Sequence, residues 1–397
     1  MAGVRHVETA FWNANPLHGS DGRGHLLQGE APTPLLAESP ELRGSTSMMR
    51  YHGLASTLPR ELLRAALAFT APALLVVLMK SLAEGVMGQT APPDMEPITP
   101  ISEAVLADTK KAALGEALFH DRRLSRGDKF ACDSCHLLDQ GGGDHRRRPD
   151  GLDGQPLKFN APTVFNAARN YRLNWRGNFR TVEEQNEAAL LEPRLMGTSW
   201  DELLTKLRAD STYDSAFKAA YGAPPERRSV LDALAEFQRS LATPGASFDR
   251  YLQGEHGAIT ADAEQGYRLF KAYGCIACHQ GENVGGNLFE KFGIFADPFA
   301  ENMEVTEADL GRVTVTGAET DRYVFRVPSL RNVAVTAPYF HDGRAGSLTA
   351  AIEIMARIQL GRELPVQDVR SIAAFLETLT GEYQGRSLAG EAGRNLQ

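Results

Sequence analysis

The sequence carries no excess of positive charge. Its 42 lysines and arginines against 50 acidic residues leave a net charge of −8. That excludes the basic face a phosphate-rich partner requires, so no nucleic-acid partner is expected. The short basic run HRRR at 145–148 reads as a solvated loop. Nor does the stretch AALAFTAPALLVVLM at 65–79, with 15 residues, reach the ~20 that cross a bilayer as a helix. Preceded by Arg50, Arg60 and Arg64, it has the length and flank of a secretory signal. No clean small-x-small cleavage site follows, so a cleaved signal and an uncleaved N-terminal anchor both stay open. Either reading makes the mature protein exported. Long alternating strands are missing too, as is any leftover cysteine: the four present form two pairs, Cys132/Cys135 and Cys275/Cys278.

What is present organises the chain. Residues 1–47 are Gly-, Pro- and polar-rich, and Met48 or Met49 offers a later start that would set them apart as a disordered or mis-assigned extension. Residues 48–91 then hold the signal or anchor, and 92–100, with Pro92, Pro93, Pro97 and Pro100, form a stiff extended linker. Beyond it the pattern is helical and loop-rich. VLDALAEFQRSL at 230–241 puts Val230, Leu234, Phe237 and Leu241 on one face after Ser229 as N-cap. VQDVRSIAAFLETL at 366–379 does the same with Val369, Ile372, Leu376 and Leu379, between Pro365 and Gly381. A weak repeat matters more. Leu-Phe runs into ACDSCH in one place and into GCIACH in the other, 143 residues apart, and a glycine cluster follows each. The repeat predicts two related domains, 101–245 and 246–385, parted near TPGAS at 243–247, with 386–397 as a disordered tail.

Both cysteine pairs are followed at once by histidine, His136 and His279. Three chemistries use Cys-x-x-Cys. Structural zinc sits in one compact site, whereas these pairs are far apart in sequence. A redox dithiol does not need the histidine and is expected beside a βαβ pattern that is missing here. A c-type haem needs two thiols to add across its vinyl groups and an adjacent histidine to reach the iron, which is the spacing observed twice. Two covalently bound haems c are therefore expected. The group opposite each histidine decides whether the iron carries electrons or meets peroxide. Candidates are His120, His145, His256, His341, Met196, Met303 and Met355; on packing alone, a methionine in AIEIMARI is core.

At this point the chain resembles a known family, the bacterial di-haem cytochrome c peroxidases, with their methylamine-utilisation (MauG) branch. The matching stretches are LGEALFHDRRLSR (114–126), NAPTVFNAARN (160–170), FDRYLQGE (248–255), GCIACHQG (274–281), VPSLRNVAVTAPYFHDG (327–343) and FLETLTG (375–381). The resemblance implies a mostly α fold, two cytochrome-c-like haem domains in one chain, with calcium between them. It implies periplasmic reduction of hydrogen peroxide with electrons from a small cytochrome c or cupredoxin, and a homodimer. By the same resemblance His279 and Met355 ligate the C-terminal, electron-accepting haem. Trp175 lies between the haems, and Asn160, Thr336 and Pro338 bind calcium. The MauG branch has tyrosine in place of Met355.

Two departures fall at the His136 haem. The position of the family's removable distal histidine holds Leu152, which implies an open iron unless His145 swings in from the next loop. The family's proton-shuttling glutamate is replaced by Leu195 in EPRLM; Glu192, three residues earlier, is either its stand-in or a helix-end charge. Rival readings are a peroxide-driven oxidase of a protein or small molecule, as in the MauG branch, and a non-catalytic di-haem electron carrier.

Overall fold

The computed structural model describes residues 96–102, 108–300 and 304–390. The expectations for residues 1–91 and for Met303 lie outside the described residues. Helix α1 (Thr109–Phe119) starts where the Asp108 side chain accepts hydrogen bonds from the N–H groups of Lys110 and Lys111, satisfying donors a helix end leaves orphaned. It is followed by α2 (Val182–Leu191), α3 (Trp200–Ala209), α4 (Ser211–Tyr221) and α5 (Arg227–Ser240). The second half holds α6 (Ser247–Leu252), α7 (Ala261–Ala272), the short α8 (Val313–Thr316), α9 (Leu348–Leu360) and α10 (Val366–Glu377). Strands among the described residues are short antiparallel pairs: β1 (Phe289–Lys291) with β2 (Val324–Arg326), and β3 (Glu382–Tyr383) with β4 (Arg386–Ser387). The helix-rich expectation holds. No helix among the described residues is long and apolar enough to cross a membrane.

The two largest hydrophobic cores of the described residues divide most of the helices between them. The first gathers Leu114, Leu118 and Phe119 of α1 with Val230, Leu234 and Phe237 of α5, and adds Leu203, Leu207 and Phe217 from α3 and α4. The second gathers Phe248 of α6, Tyr267 and Phe270 of α7, and Ile372, Phe375 and Leu376 of α10. Both apolar faces read from the sequence are buried here. Capping of α5 differs by one turn. The helix begins at Arg227 after Glu226, and Ser229 sits inside it, its hydroxyl accepting from the Glu226 N–H at 3.0 Å.

Each core is built on one crossing of two helices, and the crossings share a device. In α1 Gly115 meets α5 so closely that a Cβ there would lie 1.9 Å from the Ala233 carbonyl oxygen. In α7 Gly266 meets α10 with the corresponding distance 1.8 Å, to the Ser371 carbonyl oxygen. Both glycines stand three residues before a Leu-Phe pair, in GEALF and GYRLF. Gly266→Ala is expected to force the helices apart and to destabilise the holoprotein by about 3 kcal/mol, the upper end for overpacking; the denaturant midpoint at unchanged slope reads it.

The linker and tail expectations need correction. Residues 96–101 form a strap rather than a spacer. Ile98 is 1% exposed inside the second core. The Pro97 carbonyl accepts from Gly281 N–H at 2.7 Å and the Thr99 carbonyl from Arg331 at 2.8 Å. Arg331 is itself paired with Asp249 at 2.7 Å, both nearly fully buried. Ile98, between Pro97 and Pro100, and Ile101 just after them supply apolar surface that a free linker would leave in water. At the other end the expected tail boundary at 386 falls inside a hairpin, since Arg386–Ser387 pairs with Glu382–Tyr383. Its Tyr383 ring packs 5.0 Å from that of Phe165, and both Tyr383 and Leu388 pack against the first core.

Candidate functional site

The two Cys-x-x-Cys-His segments adopt the same local conformation. Each opens in a single tight turn, Cys132–Ser134 and Cys275–Ala277. In each, the histidine N–H donates to the carbonyl of the first cysteine at 3.0 Å, from His136 to Cys132 and from His279 to Cys275. The imidazoles are held alike. His136 Nδ1 faces the Gly142 carbonyl at 3.2 Å, and His279 Nδ1 the Val284 carbonyl at 3.3 Å. A neutral ring donating from Nδ1 keeps the Nε2 lone pair for a metal. Burial favours that neutral form, lowering the pKa of His136 and bringing that of His279 to about 4. The glycine cluster after the second motif makes room for this. At Gly285 (φ 126°) a Cβ would lie 2.2 Å from the Pro328 carbonyl oxygen and 3.3 Å from His279 Nδ1.

Burial pushes the thiols up, Cys132 to about 12 and Cys135 and Cys275 to about 11, with Cys278 raised as well. A redox dithiol needs the opposite shift. Cys275, Cys278 and His279 share with Met355 and Trp175 the lining of one largely apolar cavity of about 280 Å³. Free thiols, a histidine with its outer nitrogen unengaged and an apolar hollow are what a covalently attached haem requires, so the residues present fit the group.

Met355 lies on α9, where it also packs against a third cluster built on Trp175, Phe292, Phe325 and Ile358. Packing and facing the cavity are thus not alternatives for this side chain. Trp175 is 9% exposed; its indole N–H donates to the Asn160 carbonyl at 2.9 Å. The segment from Asn160 to Phe165 connects the two motifs. It lines the cavity and reaches the first glycine cluster, where the Thr163 hydroxyl donates to the Gly141 carbonyl at 2.7 Å.

The other candidate ligands are bound to protein groups, exposed or in the first core, although His341 lines the same cavity. His145 has Gln140 and Ala337 carbonyls facing its two ring nitrogens at 2.8 and 3.1 Å, which leaves neither lone pair for a metal in this conformation. His341 is buried and bonds Asp309 at 2.7 Å. Burial would raise the Asp309 carboxyl, but hydrogen bonds from His341 and Thr306 outweigh it and hold the pKa at about 2. His120 pairs with Asp133 at 2.7 Å, His256 is exposed, and Met196 is core.

Leu152 and Leu195, 43 positions apart, belong to two loops that are latched together. The Leu152 N–H donates to the Arg194 carbonyl at 2.8 Å, and the Arg194 side chain pairs with Asp153 at 2.8 Å. Leu195 is half-buried against the first core. Glu192 caps the end of α2, its carbonyl accepting from the N–H groups of Leu195 and Gly197. The three residues expected at calcium, Asn160, Thr336 and Pro338, all line the cavity. The Asn160 amide donates to the Arg146 carbonyl at 2.9 Å and the Thr336 hydroxyl to the Val333 carbonyl at 3.1 Å. That leaves the Thr336 and Pro338 carbonyls and the Asn160 side-chain oxygen without a donor among the described residues. One residue escaped sequence reasoning: Arg326, in β2, lines the same cavity and is 6% exposed. In the string YVFRVPS nothing but its charge amid apolar neighbours marks it.

Comparison with known proteins gives a consistent picture. The profile described as Di-haem cytochrome c peroxidase matches residues 109–257. The chain is 42% identical to Cytochrome c peroxidase Ccp of Escherichia coli (strain K12), over 72% of its own length and 62% of that protein, so it spans less than two thirds of that relative. It is 39% identical to Cytochrome c551 peroxidase of Nitrosomonas europaea, over 72% of its own length and 85% of that protein. Among solved structures, a MauG-like protein associated with microbial copper homeostasis is similar with a TM-score of 0.64 and 27% identity, covering 77% of this chain and 97% of that one.

Proposed function

Because this chain belongs to the di-haem cytochrome c peroxidase family, we propose that it reduces hydrogen peroxide to water with electrons delivered by a small redox protein. It carries two covalently bound haems c, one at Cys132, Cys135 and His136 and one at Cys275, Cys278 and His279. Each sits in its own cytochrome-c-like half, built on one of the two cores, with residues 96–101 completing the second and the 382–387 hairpin the first. When bound, the haems supply the redox chemistry, one accepting electrons and the other meeting peroxide. The rest falls to the residues of the chain. His279 and Met355, which line the same cavity, would be the ligands of the accepting iron. Trp175 occupies the wall between the sites and shortens the path from one to the other. His136 would hold the second iron, and Leu152, standing where the family has a distal histidine, has no side chain that could ligate it. The Thr336 and Pro338 carbonyls, with Asn160, hold calcium between the halves as hard oxygen donors. The protein works in the periplasm.

One observation carries this reading: His279, Met355, Trp175 and both attaching thiols meet in one apolar cavity. The likeness to the MauG-like structure stands at the lower identity of 27%, against 39% and 42% for the peroxidases, which favours peroxide reduction over the oxidase reading.

The test is stopped-flow oxidation of a reduced small cytochrome c by peroxide, using holoprotein in the fully oxidised and the half-reduced state. With no histidine to displace, both states are expected to turn over at once and at comparable rates. Failure of both would overturn the peroxidase reading. Turnover by the half-reduced state alone would overturn the assignment of Leu152 to an open site.

A further inference from the structure

Three arginines are buried among the described residues: Arg176, Arg326 and Arg331. Two have carboxylates. Arg331 pairs with Asp249 at 2.7 Å and Arg176 with Glu307 at 3.6 Å. Arg326 differs. Its side chain donates to two backbone carbonyls, from Nε to Asn174 at 3.2 Å and from Nη1 to Val327 at 3.3 Å, and no carboxylate of the described residues pairs with it. A guanidinium has five N–H donors and does not give up its charge in a protein, and a buried unpaired charge costs several kcal/mol. Two bonds to neutral carbonyls leave Nη2 without a partner among the described residues.

The side chain is also fixed in place. Arg326 ends β2, where it is paired with Phe289 of β1, and its N–H donates to the Trp175 carbonyl at 2.9 Å. It lines the cavity shared by Cys275, Cys278, His279 and Met355. Whatever anion neutralises it must therefore sit in that cavity. A haem brings two carboxylates on its rim, and a guanidinium fork matches a carboxylate with two parallel hydrogen bonds.

We infer that Arg326 is the buried counter-charge of a haem carboxylate in the His279 cavity. This rests on the reading of that cavity as a haem site. A cation held there, next to the tryptophan between the sites, favours the reduced haem, which carries one positive charge fewer.

The experiment compares wild-type, Arg326→Lys and Arg326→Gln holoprotein. Peptide mass first establishes whether Cys275 and Cys278 of the wild type carry a haem; if they do not, the cavity reading itself fails, independently of Arg326. With both haems attached, spectroelectrochemical titration and the haem-carboxylate bending band in resonance Raman are measured. In Arg326→Gln the His279 haem is expected to become at least tenfold harder to reduce, 59 mV for one electron, with the other haem unmoved. Arg326→Lys keeps the charge and loses the fork, so its band shifts while most of the potential survives. Should the glutamine variant fail to fold, the lysine variant decides. An unshifted band and potential in Arg326→Lys would overturn the proposal. So would equal shifts of both haems in Arg326→Gln.

Discussion

Met355→Leu holoprotein is expected to lose turnover with an external reduced cytochrome while still folding and carrying both haems. Leucine is close to methionine in volume, and such swaps in a core cost less than about 1.5 kcal/mol. The contacts of Met355 with the cluster around Trp175, Phe325 and Ile358 are thus largely kept, and the sulfur alone is removed. Axial-ligand identity sets haem potentials across a range of ~0.8 V. Without the thioether the His279 site becomes orders of magnitude harder to reduce, and a cytochrome donor can no longer fill it. The steady-state rate with reduced cytochrome c, beside a potentiometric titration, measures both effects. Alanine would be the poorer probe, since a methionine-sized cavity costs about 2–5 kcal/mol and mixes loss of fold with loss of ligand. Unchanged turnover in Met355→Leu would mean that electrons come in by another route.

Leu195→Glu is expected to act in the opposite direction. A leucine neither takes nor gives a proton, and positioned acid–base help is worth ~10²–10⁴-fold. Restoring a carboxylate should raise the single-turnover rate of peroxide cleavage within that range. The position suits the experiment. Leu195 is half-buried in a loop held by the Leu152–Arg194 hydrogen bond and the Arg194–Asp153 pair, so a new side chain there is presented by a rigid frame. If the carboxylate works in its ionised form, the gain fades as pH falls towards its pKa, about 4.3 for an unperturbed glutamate. A rate that does not change would show that proton transfer is supplied elsewhere. Adding Glu192→Gln to the wild type separates that case: a rate collapse there would identify Glu192 as the supplier, despite its place at the end of α2.

The parts legible in the sequence were those governed by short-range rules. The Cys-x-x-Cys-His spacing is dictated by covalent chemistry within five residues. The buried faces of α5 and α10 repeat at helical period. Ser229 was misplaced as the cap because Arg227 and Arg228 are compatible with a helix, and a serine at the third helical position can serve the same N–H group. What escaped depends on segments far apart in the chain. Ile98 looked like part of a linker, because the core that buries it is assembled from α6, α7 and α10. Arg326 is held by partners far off in the chain, the carbonyls of Asn174 and Trp175. The glycines at 115 and 266 carry no local signal either; their reason is the backbone of another helix.

The strap and the hairpin, taken together, amount to an exchange. Residues 96–101 precede the first core in the chain and close the second, while Tyr383 and Leu388 follow the second core and pack on the first. Each half is sealed by a piece encoded with the other. Cutting the chain near 243–247 would therefore not release two modules, because each fragment would keep its neighbour's lid and lack its own. Neither core is then complete until the chain has folded as a whole, so the two halves succeed or fail together.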